Sequence, residues 1–153
     1  MIEAAKTVEQ GLDMVLLRVR GRVEDATVDL GWRPDETWGI YGAIARHICY
    51  STQGYLGPTM SGIEVAAHAW DETWSAQGLG RDALLALVDE TRALAHRALE
   101  TMTEAAWAEE VTMYNRTMTK GAVASFAVVH GAQHVGQMLL MDRVRKTTGG
   151  GPA

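Results

Sequence analysis

The stretch FAVVHGAQHVGQ, from Phe126 to Gln137, sets His130 and His134 four residues apart. On a helix that spacing is one turn plus about 40°, so the two rings rise from one face with roughly 6 Å between them, within reach of a single ion. Zinc, nickel and iron accept imidazole nitrogen at about 2.0–2.1 Å, and a pair at this spacing is a common way to present two ligands. A third ligand must come from another segment. His47 shares a helical stripe with Ile40, Ile44, Ile48, Ser51 and Tyr55, and it is the third candidate. Phe126, Ala127, Met138 and Met141 lie on the same face as His130 and His134, which is therefore expected to point into the core. A buried imidazolium without a partner is costly, whereas a neutral ring on a metal satisfies one nitrogen and leaves the other to donate. Each ring taken alone has a plainer reading as a hydrogen-bonded core histidine; the three together point to a metal. Three imidazoles leave one or more coordination positions open, as a catalytic site requires.

The neighbouring residues narrow the chemistry. No Glu follows His130, so the general base of HExxH metalloproteases is missing, and neither His pairs with a Glu three residues before it as di-iron proteins require. One ion is implied. Gln137, three residues after His134, is placed to hold a ring N–H or a metal-bound water. Gly131 and Gly136 each cost about 1 kcal/mol in a helix interior, which predicts close helix packing beside the site. Cys49 points away from His47 and reads as a packing residue, while His68 falls in a connector and His96 off the main stripe of its helix, so neither is a candidate ligand.

The elements that must carry these residues are helical. Apolar positions from Lys6 to Val23 recur every three or four residues, as do those from Arg81 to Met102. A second helix is expected from Asp35, Glu36 and Thr37 to about Gln53, closed by Gly54, Gly57 and Pro58, and a fourth from Lys120, capped by Thr119, to about Lys146. Residues 59–80 read as a long connector, with a turn or short helix over Ile63 to Trp74. Thr103 to Val111 begins as a capped turn and Thr112 to Thr117 is an extended connector, with no period-two strand pattern. The expectation is an all-α four-helix bundle, one domain over residues 1–146, with a long crossover between helices two and three and a disordered tail over 147–153.

Composition sets further limits. A formal charge of −5 and a pI near 5.5 argue against a nucleic-acid partner. The single cysteine excludes an intramolecular disulfide, and the first residues lack a signal-peptide pattern, so a cytoplasmic location is expected. The run between Lys120 and Asp142 carries no formal charge and is long enough to span a bilayer, but His130, His134, Gln133, Gln137 and Ser125 make it too polar for a lone span. No membrane association is expected, and the implied ligand is a small molecule. The five Trp residues could line a mouth or a contact between copies, with core filling the simpler fate.

Trp38-Gly39-Ile40 opening a helix, His47 nine residues after that Trp, and His130-x-x-x-His134-x-Gly136-Gln137 in the last helix resemble the DinB/YfiT-like family over nearly the whole chain. The resemblance implies a four-helix bundle with a long crossover and a divalent ion, nickel or zinc with iron as a further candidate, held by His47, His130 and His134. It also implies thiol-dependent transferase or isomerase chemistry with low-molecular-weight thiols such as bacillithiol or mycothiol, and a homodimer. No other catalytic residue is assigned by it, and the chain departs from many relatives in having Ala132-Gln133 between the ligands. Two alternatives stay open: a metal-dependent hydrolase, and a non-catalytic, stress-related metal-binding protein.

Overall fold

In a computed structural model, which describes residues 1–66 and 80–148, the chain is mostly helical. In order it forms α1 (Glu3–Glu24), α2 (Tyr41–Gly54), a π-helical segment (Tyr55–Ser61), α3 (Arg81–Glu100), the short α4 (Glu104–Ala108), strands β1 (Glu110–Met113) and β2 (Arg116–Thr119), and α5 (Lys120–Thr148). The helices α1 and α2 each pack against both α3 and α5, so the apolar stripes of all four long helices meet in one interior. One end of that interior holds Leu12 of α1, Leu56 of the π segment, Leu99 of α3 and Ala127 of α5. The other end holds Leu16 of α1, Ile48 of α2, Leu84 of α3 and Met138 of α5.

Several boundaries differ from the sequence reading, each for a local reason. The second helix begins at Tyr41, because Asp35 Oδ1 accepts from Thr37 N at 2.8 Å and Thr37 Oγ1 at 2.6 Å and closes a turn there instead. Its first donors go to loop carbonyls, Tyr41 N to Trp32 O at 3.0 Å and Gly42 N to Leu30 O at 2.8 Å. At its far end Gly54 and Pro58 do not stop the chain; the backbone widens into π turns, and Gly62 at φ 72° ends them. The hydroxyls of Thr59 and Ser61 bond Gly54 O at 3.0 Å and Leu56 O at 2.7 Å, supplying bonds across the region where proline has no N–H. Past it, 62–66 form no regular element, and the rest of the segment expected to turn or coil over Ile63 to Trp74 lies outside the described residues, as does His68.

The expected extended connector over 112–117 is instead a β-hairpin, with Val111 opposite Met118 and Thr112 opposite Thr117. Tyr114 and Asn115 form its two-residue turn, both at positive φ (51° and 59°), the conformation that matches the twist of the flanking strands. Thr103 caps α4 through Ala106 N at 3.2 Å, and Thr119 caps α5 through Ala122 N at 3.1 Å. The last helix runs to Thr148, so Thr147 and Thr148 are helical, where a tail beginning at 147 was expected; residues 149–153 lie outside the described set. At the same end of the molecule, where Arg145 of α5 donates to Thr27 O at 2.9 Å, the Arg81 guanidinium donates to the carbonyls of Val23, Asp25 at 2.9 Å and Val28 at 2.7 Å, which ties the end of α1 to the start of α3.

Candidate metal centre

Three imidazoles occupy the level at which the two ends of the core meet. His47 comes from the middle of α2 and His130 and His134 from successive turns of α5, as the helical spacing predicts. Their ring centroids are 5.1 Å (His47 to His130), 4.7 Å (His47 to His134) and 4.6 Å (His130 to His134) apart, with the planes steeply inclined. One nitrogen from each lies within 4.8 Å of the other two. Next to His130, Gly131 lets α5 come close to α1: a Cβ on it would stand 2.8 Å from Val15 Cγ1. Gly136 differs from the sequence reading, since nothing lies within 4 Å of where its Cβ would be.

His134 Nδ1 stands 2.7 Å from Gln137 Oε1, an acceptor, so Nδ1–H donates there, and in the neutral ring Nε2 carries the lone pair. His47 Nε2 and His130 Nε2 stand 3.0 Å apart, so one ring donates and the other accepts. Ser51 Oγ, one turn beyond His47, is 3.3 Å from its Nε2. His47 is 1% exposed and His134 8%, while His130 is half-buried at the edge. Burial, with the neighbouring His134 and His130 rings, pushes the pKa of His47 down to about 4, and burial followed by His134 lowers that of His130. His47 is therefore neutral at pH 7, the state in which imidazole offers a lone pair.

A cation at about 2.0–2.1 Å from three nitrogens needs them roughly 3–3.5 Å apart. The His47–His130 pair already meets this at 3.0 Å, and the whole set is compact within 4.8 Å. All-imidazole donors suit zinc, nickel or iron better than the oxygen-seeking magnesium or calcium. The three rings could thus hold one divalent ion.

The rim is aromatic. Phe126, placed on the buried stripe by its spacing, is instead 38% exposed and stacks on His130 with centroids 5.7 Å apart. Tyr55 stands edge-on to both, 5.4 Å from Phe126 and 5.6 Å from His130, and its hydroxyl is 3.1 Å from that of Tyr114 in the hairpin turn. Burial, and then the Tyr114 hydroxyl, raise the Tyr55 phenol pKa, so it stays protonated. The Ser51 contact was legible in its i+4 spacing from His47; Tyr114 depended on a hairpin that carried no sequence signal.

The remaining candidates fall away from the site. His96 bonds Glu9 Oε1 at 2.8 Å and Asp13 Oδ1 at 3.0 Å, and with Arg92 on Asp13 at 2.7 Å it joins α3 to α1. Cys49 is fully buried, its thiol pKa pushed up to about 12 by desolvation, and is a packing residue. Trp32 and Trp38 pack on the α2 end of the core and Trp107 on the other; Trp70 and Trp74 lie outside the described residues. No helix among the described residues is long and apolar enough to cross a membrane. Compared with models of protein families, residues 12–138 match that of the DinB superfamily, and no curated protein matches the chain.

Proposed function

The chain belongs to the DinB superfamily, and from that premise we propose that it is a divalent-metal-dependent enzyme built on a four-helix bundle with a long crossover between α2 and α3. His47, His130 and His134 hold the ion, nickel or zinc with iron as the further candidate. The chemistry is thiol-dependent S-transfer or isomerisation of a small electrophile, carried out in the cytoplasm by a homodimer. One observation carries the reading: three imidazole nitrogens from two helices within 4.8 Å of one another.

When bound, the divalent ion would supply Lewis acidity that favours a deprotonated thiol or water. The chain's own residues set what that acidity can do. Gln137 holds His134 in one tautomer, and Ser51 lies against His47 to restrain its ring. Phe126 and Tyr55 form an apolar edge beside the half-exposed His130, where an electrophile can stack, and the protonated Tyr55 hydroxyl is a donor for charge that develops there. Among the described residues, the three-histidine group includes no carboxylate to act as base. A divalent ion lowers the pKa of a bound water to about 7 and ionises a bound thiol outright, so either could serve without a protein base, and the choice of a thiol follows the family resemblance.

The test is turnover of a low-molecular-weight thiol with 1-chloro-2,4-dinitrobenzene, followed by adduct absorbance. Zinc- or nickel-loaded wild type is expected to exceed both the metal-stripped protein and His47→Ala; equal rates in all three would end the transferase reading.

A further inference from the structure

A buried guanidinium on α2 leaves one of its edges unused. Arg46 is 6% exposed, and its Nε and Nη2 are both sealed from solvent without a hydrogen-bond partner. Its face is covered, since Cζ lies 5.9 Å from the centroid of the Tyr50 ring one turn on. A ring takes the face and leaves the N–H groups of the edge unpaired. Two other arginines also bury an unbonded Nε, but each has company: Arg22 Nε stands 3.3 Å from Asp142 Oδ2, and Arg145 Nη1 donates to Thr27 O at 2.9 Å. Among the described residues, no carboxylate is paired with Arg46.

Arginine keeps its charge at any ordinary pH, so burial here is not relieved by loss of a proton. A buried ion without a counter-ion is costly, and an empty pair of buried donors marks a missing partner. Its own helix supplies none: Gly42, Ala43, Cys49 and Tyr50, the positions about one turn away, carry no carboxylate. The loop carbonyl nearest that face, Leu30 O, accepts from Gly42 N at 2.8 Å.

The two empty nitrogens define the partner. Nε–H and one Nη2–H run parallel along the same edge of a planar group, the spacing that meets both oxygens of a carboxylate. One carboxylate also cancels one guanidinium. A phosphate dianion would bring a second charge and further oxygens with no donors to meet them. We infer that Arg46 anchors a binding site for a small monocarboxylate, held by Nε and Nη2 together. At 6% exposure the ligand enters through local opening, which a small ion needs least. The site is independent of the three-histidine reading, because Arg46 lies about 100° round α2 from His47.

Acetate is the probe, titrated against chloride at constant ionic strength into the full-length ¹⁵N-labelled protein, as purified and again after metal removal. The Nε–H signal that is lost in Arg46→Lys should move downfield and saturate alike in both preparations, and the melting temperature should rise by about 3–6 °C at tenfold excess over Kd. Arg46→Lys, which keeps the charge and loses the fork, should bind acetate roughly tenfold more weakly, and Arg46→Met should lose the response. If neither variant folds, the wild-type signal decides alone. No saturable movement at high millimolar acetate overturns the inference, as does a thermal response of equal size in Arg46→Met. Movement only while metal is present assigns acetate to the ion and overturns it. Stronger binding of inorganic phosphate than of acetate refutes the carboxylate class. An Arg46 Nε–H already far downfield without added anion, and unmoved by acetate, means that the chain supplies its own partner, which also overturns it.

Discussion

His47 and His130 need a reason to remain uncharged in this interior, and the reason is burial together with the neighbouring rings. Protonating His47 in the folded protein would place a cation beside two other rings, so its folded pKa lies near 4 while the unfolded value is the ordinary 6.5. The unfolded chain therefore binds more protons across that interval. The stability of the metal-free protein is full above about pH 6.5 and declines as the pH falls toward 4. Chemical denaturation of stripped wild type and His47→Gln across that range should show the slope in wild type and a shallower one in the variant; identical slopes would contradict the assignment. Gln137 acts at the same scale. Gln137→Ala removes the acceptor of His134 Nδ1–H, and zinc affinity measured by chelator competition should fall roughly 10–100-fold. This much was legible in the sequence: the i, i+4 pair, His47 on a separate apolar stripe, and Gln137 one turn beyond His134 all follow from helical geometry alone. Phe126 shares the stripe by its spacing but is 38% exposed, because it stacks on the half-buried His130 at the rim rather than in the core.

Among the elements, α5 carries two glycines that the sequence treats alike and the packing separates. A methyl on Gly131 meets Val15 Cγ1 at 2.8 Å, and one on Gly136 meets nothing within 4 Å. Gly131→Ala should therefore destabilise by about 1–3 kcal/mol through overpacking, and Gly136→Ala should stabilise by about 0.5–1 kcal/mol through helix propensity. Thermal or urea unfolding of the two variants decides it, and the same sign in both would contradict the packing described. Long helices with an apolar stripe, α1 and α3, were readable to within a few residues because periodicity over five or more turns leaves little choice. The short elements were not. Each strand has four residues, too few for alternation to stand out, and the Tyr114–Asn115 turn contains no glycine to announce it. Pro58 signals a helix end, yet the chain continues in π turns because side-chain hydroxyls bridge its carbonyls.

At the scale of the molecule, the charge-free run of α5 is not buried on every side. Val129, Leu139 and Leu140 are 64%, 42% and 48% exposed, on the side away from Ala127, His134 and Met138. Exposed apolar side chains on one helix face mark a contact surface, which the proposed homodimer would bury. Sedimentation velocity should show a dimer for wild type and a monomer for Leu140→Asp; a monomeric wild type would contradict it. Composition alone could not separate a helix buried all round from one with a face left for a second copy, since both are apolar. The whole account rests on the three rings taking up one ion, and metal content measured by mass spectrometry on protein loaded with zinc, desalted and free of any polyhistidine tag tests that most directly. The account predicts about one zinc per chain in wild type and a small fraction of that in His47→Ala, His130→Ala and His134→Ala; a wild type that retains none, or variants that retain as much, would contradict it.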